Sequence, residues 1–175
     1  MTYLCSMASK NNHKEDIKLA SFDDIKVIGI NTSLIDFKLA WHINQALSIN
    51  LARYDDIQVE DIEYSFYYYT AGEKSNVYNL VSLTRNNNTW MSLSPRVDYI
   101  LIIRNDITAE RLNHIIKSIR DINAIGHAFL MDLNKNKDLF IALETIELHE
   151  IGLMEKWKKR KNLKTLKQEM KKAMP

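Results

Sequence analysis

VDYILIIR, residues 97–104, is the stretch on which the fold turns. It is apolar at both odd and even positions, whereas a strand with one wet face alternates, so it reads as a strand covered on both faces at the centre of a sheet. On its N-terminal side, DIKVIGI (24–30) is β-branched and bounded by polar residues, a second strand with Val27 and Gly29 on one face. Ser33 and Asp36 form a capping-box pattern, and Ile35, Leu39, Ile43, Ala46 and Leu47 then make one apolar stripe, predicting a helix that ends near Asn50. From 57 to 69 the apolar phase changes from odd (Ile57, Val59) to even (Ile62, Tyr64, Phe66, Tyr68), which requires a bulge or break near Glu60 and Asp61. Residues 71–76 are a turn, 77–85 the hairpin partner, 86–88 a tight connection and 89–93 a short strand.

On the C-terminal side, Asp106 or Thr108 caps a second helix lined by Leu112, Ile115, Ile116, Ile119 and Ile122, and 124–132 is a last strand. The order β-α-β-β-β-β-α-β predicts an α+β fold: an antiparallel-rich sheet of about five or six strands with two helices on one face, in the manner of a decorated ferredoxin-like domain. Helical periodicity resumes after Asn134, with Gly152 as an expected break or kink, and Leu163, Leu166, Met170 and Met174 give the end of the chain an amphipathic stripe. The expected organisation is a flexible extension over 1–22, the α+β core over 23–134, a helical connection over 135–151 and a basic amphipathic helix or tail over 152–175.

The helix LAWHINQAL, the following ARYDDI and the strand VDYILII together resemble the IPExxxVDY proteins over roughly residues 25–133. Val97, Asp98 and Tyr99 match the second half of that signature, while Met91, Ser92 and Leu93 stand where Ile, Pro and Glu would be. The resemblance implies a small cytoplasmic bacterial protein and brings no catalytic residue, cofactor or ligand with it.

At 175 residues, 46% hydrophobic and 26% charged, the chain has the balance of one globular domain with extensions. Its net charge of +2 hides an asymmetry. Residues 151–175 hold nine Lys or Arg against two Glu, a charge of +7, which leaves −5 for the rest. A lone cysteine, Cys5, excludes a disulfide framework and fits a reducing cytoplasm. MTYLCSM is too short and too uncharged for a signal peptide, and Met7 is an alternative start to Met1. No run of eighteen apolar residues suggests a membrane span.

Asp98 falls on the face of Ile100 and Ile102, and a carboxylate in such a layer needs a cation or backbone N–H partners; Arg53, Arg96 and Arg104 are the nearby options. Asp98, Tyr99 and Arg53 are thus read as a structural keystone. Asp55, Asp56, Glu60, Asp61 and Glu63 cluster, but without the glycine and ligand series of a calcium loop they read as a solvated acidic edge. The five histidines are scattered singly, and His127 reads as a hydrogen-bonded packing residue. With four glycines and no G-x-S-x-G, P-loop or G-x-G-x-x-G, neither a nucleophile elbow nor a glycine phosphate cradle is expected. Trp41 and Asn44 share a side of the first helix away from its stripe, as do Phe37 and Ser48, and form a candidate recognition surface. Were one sheet face open, Tyr67 and Tyr69 could stack bases, although Asp61 and Glu63 beside them would repel phosphate.

The basic end, with Trp157, Lys158, Lys159, Arg160, Lys161, Lys164 and Lys167, suits a protein groove, nucleic acid or an acidic membrane surface. The sequence therefore favours a non-enzymatic interaction module, an adaptor or regulator, that docks a protein partner or a second copy of itself through this segment. An RNA-binding accessory protein using the same residues is the alternative. No cofactor, metal or small-molecule ligand is inferred.

Overall fold

The computed structural model describes residues 24–173, with side chains as far as Arg160 and at Asn162. The expected extension over 1–22, Cys5, and the choice between Met1 and Met7 lie outside the described residues. So do the side chains of Lys161, Leu163, Lys164, Leu166, Lys167 and Met170.

The chain is α+β. In order it forms β1 (Lys26–Thr32), α1 (Asp36–Leu47), β2 (Ala52–Arg53), β3 (Ile57–Val59), β4 (Ile62–Tyr64), β5 (Phe66–Thr70), β6 (Val77–Ser82), β7 (Thr84–Arg85), β8 (Asn88–Thr89), β9 (Tyr99–Arg104), α2 (Ala109–Arg120), β10 (Ile125–Leu130), a 3₁₀ turn (Leu133–Lys135) and α3 (Lys137–Ala173). Six strands make one antiparallel sheet in the order β10-β1-β9-β6-β5-β2, and β3–β4 and β7–β8 are separate two-stranded ribbons. The stretch 97–104 supplies β9, next to the middle of the sheet and paired to β1 and β6.

Both faces of the sheet are covered, and the side-chain period of two sorts residues between them. Ile28, Ile30, Leu101 and Ile103 meet α1 and α2, which bury Leu39, Ala40, Ile43 and Leu47 from one and Leu112, Ile115, Ile116 and Ile119 from the other. Val27, Phe66, Val81, Ile100 and Ile102 meet α3 through Leu139, Ala142, Leu143, Ile146 and Leu153. Because no sheet face is open, Tyr67 is buried with the α1/α2 layer and Tyr69 packs partly buried against it, so the conditional base-stacking platform does not exist.

Several local expectations change for identifiable reasons. The phase shift at Glu60–Asp61 is a full reversal, with Glu60 at φ 53°, so β3 folds back on β4 instead of continuing a bulged strand. The segment 77–85 is cut at buried Leu83, whose N–H bonds Asp98 O at 2.8 Å, and a two-residue turn at Asn86 and Asn87, both left-handed, closes β7 on β8. Ile35 takes the N-cap position of α1 without a side-chain cap and is exposed, as is Ala46; the Ser33/Asp36 capping box does not form, because Asp36 Oδ1 accepts from Phe37 N at 2.7 Å. The helix closes earlier than Asn50, at Leu47, with Ser48 left-handed. Thr108 is the cap of α2, its Oγ1 accepting from Arg111 N at 3.3 Å. His127 is exposed on β10 instead of packed. Gly29 is dictated by close approach, since a Cβ there would lie 3.0 Å from Val97 Cγ2 and 3.1 Å from Met131 Sδ.

The largest departure is α3. Gly152 does not end the helix, and one helix of 37 residues, about 55 Å at 1.5 Å per residue, runs from the connection into the basic segment. Leu139, Leu143, Ile146, Glu150, Leu153 and Trp157 recur at 4, 3, 4, 3 and 4, a single stripe laid on the sheet. Glu150 pairs with Arg104 of β9, His149 Nε2 lies 2.8 Å from Asp55 O, and Lys156 Nζ donates to Asp55 Oδ2 at 3.0 Å.

Under α3 lies Asn79 of β6, fully buried, with neither its amide nitrogen nor its oxygen hydrogen-bonded. An unmatched buried amide costs about 1–3 kcal/mol. Asn79→Leu, which keeps the branching and heavy-atom count and removes the polar atoms, is expected to raise unfolding stability by about 1–2 kcal/mol. Urea denaturation checks this; a loss of stability would show that the amide has a partner.

Candidate functional site

The sequence candidates fall into two regions. The first is the edge where β1 hands over to α1. Asp98, just before β9, is only 7% exposed, and its Oδ2 accepts from Asn31 Nδ2 at 2.8 Å and Thr32 N at 3.0 Å. Its Oδ1 accepts from Arg96 Nε at 3.2 Å, and its own N–H donates to Ile30 O at 2.9 Å. Backbone and side chain of Asp98 therefore tie off the last residues of β1. Asn31 fits because position 126 is glycine: a Cβ there would come within 2.9 Å of Asn31 Oδ1.

Tyr99 completes the junction from the other face, its hydroxyl donating to Leu34 O at 3.0 Å. Burial pushes its phenol up to about 12, with the charges of Asp36 and Asp98 adding to the effect. A phenol that resists ionisation in the folded state stabilises the fold below its usual value near 10, and loses that contribution as pH rises toward 12. Stability is thus expected to fall across this window, with a shallower fall in Tyr99→Phe; thermal unfolding at stepped pH measures the difference.

Arg53, grouped with Asp98 and Tyr99 by sequence, does not meet Asp98. Its guanidinium bonds Asp56 Oδ2 at 2.7 Å and lies 3.1 Å from Asp36 Oδ2, clamping β2 to the start of α1. The cation that does reach Asp98 is Arg96, two residues away in sequence and 80% exposed at its side chain.

Trp41 and Asn44 part company. Trp41 is 58% exposed, with Phe37 one turn earlier exposed at 57%, and the Trp41 ring makes a T-shaped contact with His42 at 4.8 Å. Asn44 is occupied internally: Leu51 N donates to its Oδ1 at 2.7 Å and its Nδ2 donates to Leu51 O at 3.2 Å, pinning the chain as it leaves α1. The recognition pair is therefore reduced to Trp41.

The second region is the end of α3. Trp157 is not a free anchor, since its ring lies 4.7 Å from Tyr54 and 6.0 Å from Tyr68 against the sheet layer. Lys158, Lys159 and Arg160 are exposed. Of the acidic cluster, Asp56 is matched by Arg53 and Asp55 by Lys156, whose ammonium holds the Asp55 carboxyl below its usual range. Among the described residues no group of three or more His, Cys, Asp or Glu is placed to hold a metal ion, and no helix is long and apolar enough to cross a membrane.

Fold and site thus define an α+β protein with a two-face-covered antiparallel sheet and a long, partly basic C-terminal helix. Compared with known proteins, the chain matches no family model, no curated protein and no solved structure.

Proposed function

We propose that the chain is a non-enzymatic interaction module, an adaptor or regulator, that docks an acidic protein partner through the basic end of α3. The observation that carries this reading is a change along one helical stripe. The spacing that lays Leu139, Leu143, Ile146, Leu153 and Trp157 on the sheet continues to Arg160, Lys164 and Lys167. The side that buries apolar surface upstream becomes cationic at Arg160. In the sequence, Leu163, Leu166 and Met170 form a separate apolar series at helical spacing.

An amphipathic helix of this kind suits a groove with apolar pockets and an acidic rim. The ties at Glu150, Lys156 and Trp157 fix its direction, which lowers the ordering cost of binding. Lys158, Lys159, Arg160, Lys161, Lys164 and Lys167 are the contact residues of this reading, with exposed Trp41 as a separate contact. The likeness to IPExxxVDY proteins agrees with it in bringing no catalytic residue.

Nucleic acid is the competing partner, and salt separates the two. The full chain and a chain ending at residue 160 are compared for capture of proteins from native extract and for binding to RNA and duplex DNA. The reading expects protein capture that is lost on shortening, with weak nucleic-acid binding. Tight RNA or DNA binding whose log K falls with log salt by about 0.7 or 0.9 per phosphate neutralised would replace it with the nucleic-acid reading.

A further inference from the structure

Beside the Asp98 junction, the β7–β8 ribbon and the loop before β9 border a half-open cleft of about 610 Å³, within the range of small-molecule sites. Among the described residues its charged lining is Arg85 and Arg96, with no Asp or Glu. Each arginine meets a carboxylate through one nitrogen and keeps further N–H donors. Arg96 engages Asp98 only through Nε, and the same carboxylate already accepts from Asn31 and Thr32. Arg85 Nη1 stands 3.9 Å from Asp36 Oδ2, the oxygen that Arg53 approaches more closely at 3.1 Å.

The rest of the lining adds hydroxyl groups of Thr84, Thr89 and Ser92 and the amides of the Asn86–Asn87 turn, while Met91 and Val97 form an apolar wall. Donors with positive charge in a concave site select an oxyanion, and guanidinium forks match carboxylate and phosphate oxygens. We infer that this cleft binds a small molecule carrying a carboxylate or phosphate group on a compact apolar body, the oxyanion held between Arg85 and Arg96. Such a site is independent of the basic end of α3 and works whichever partner that helix takes.

The test is a titration of the full-length protein with inorganic phosphate in one arm and succinate in the other, followed through backbone amide signals in ¹H–¹⁵N spectra. Saturable shifts confined to residues 84–97 are expected in at least one arm, and the arm that saturates names the oxyanion. Arg85→Gln, which leaves the Arg53–Asp36 pair in place, is expected to weaken binding at least tenfold. Ser92→Asp, at an exposed position touching neither ion pair, is expected to abolish it. The inference is overturned if neither probe saturates, if the shifts spread over Lys158, Lys159 and Arg160 instead, or if both variants bind like the parent.

Discussion

Asp98→Ala is expected to lower unfolding stability by about 3 kcal/mol, the combined cost of leaving buried donors without an acceptor. Two donors lose their partner at once: Thr32 N–H and the Asn31 amide, both directed at Oδ2. The exposed Arg96 pair adds little, since water can replace it. Asp98→Asn separates charge from geometry, because an amide oxygen at the Oδ2 position still accepts from both Thr32 N and Asn31 Nδ2, as a weaker neutral acceptor, while its NH₂ faces exposed Arg96; about half the loss is expected. Urea denaturation of the two variants and the parent gives the comparison. A loss below about 1 kcal/mol in Asp98→Ala would mean that the β1–α1 junction holds without its carboxylate.

Ending the chain after Ile151 is expected to cost about 4 kcal/mol, in the range of a large side chain deleted from a core. That cut removes Leu153, buried against the sheet, and Trp157, which covers Tyr54 and Tyr68, along with the Lys156–Asp55 pair. Ending it after Arg160 keeps all three and is expected to change stability by less than about 1 kcal/mol. Paired thermal denaturation of the two shortened chains reads the difference directly. Equal stability would mean that α3 beyond Gly152 is an appendage, and the idea of a helix clamped at Trp157 would fall.

The contrast between these cuts explains what could be read in advance. A boundary at Gly152 is the natural reading of a glycine followed by a charge run, yet the spacing 139, 143, 146, 150, 153, 157 passes through it unbroken. Glu150 hides that stripe, because a charged residue among apolar ones ends a hydrophobic pattern unless its partner is known. The partner is Arg104, 46 residues earlier, and nothing local announces it. Trp157 was legible as an anchor, but not as one turned inward on Tyr54 and Tyr68.

The junction was legible by halves. That Asp98 needed partners follows from an acid set in an apolar strand. That those partners are Asn31 and Thr32, and that Arg53 serves Asp36 and Asp56 instead, depends on which strand lies beside β9. Arg96 was legible only as a cation option for Asp98 and Arg85 not at all; only the closing of the β7–β8 ribbon onto the loop before β9 gives them a common cleft.

The sequence by itself determined the main elements and their buried sides: an apolar run at 97–104 that demanded cover on both faces, two amphipathic helices, and a cap for the second at Asp106 or Thr108. These are local signals, set by a period of two or 3.6 residues, and they state that a face must leave water without stating what it meets. The tertiary structure alone decided the pairings: β9 between β1 and β6, α3 as the cover of the second face, and the acceptors and donors around Asp98. The reason is physical, since a hydrogen bond or ion pair between residues some 50 or more positions apart exists only once the chain has closed the loop between them.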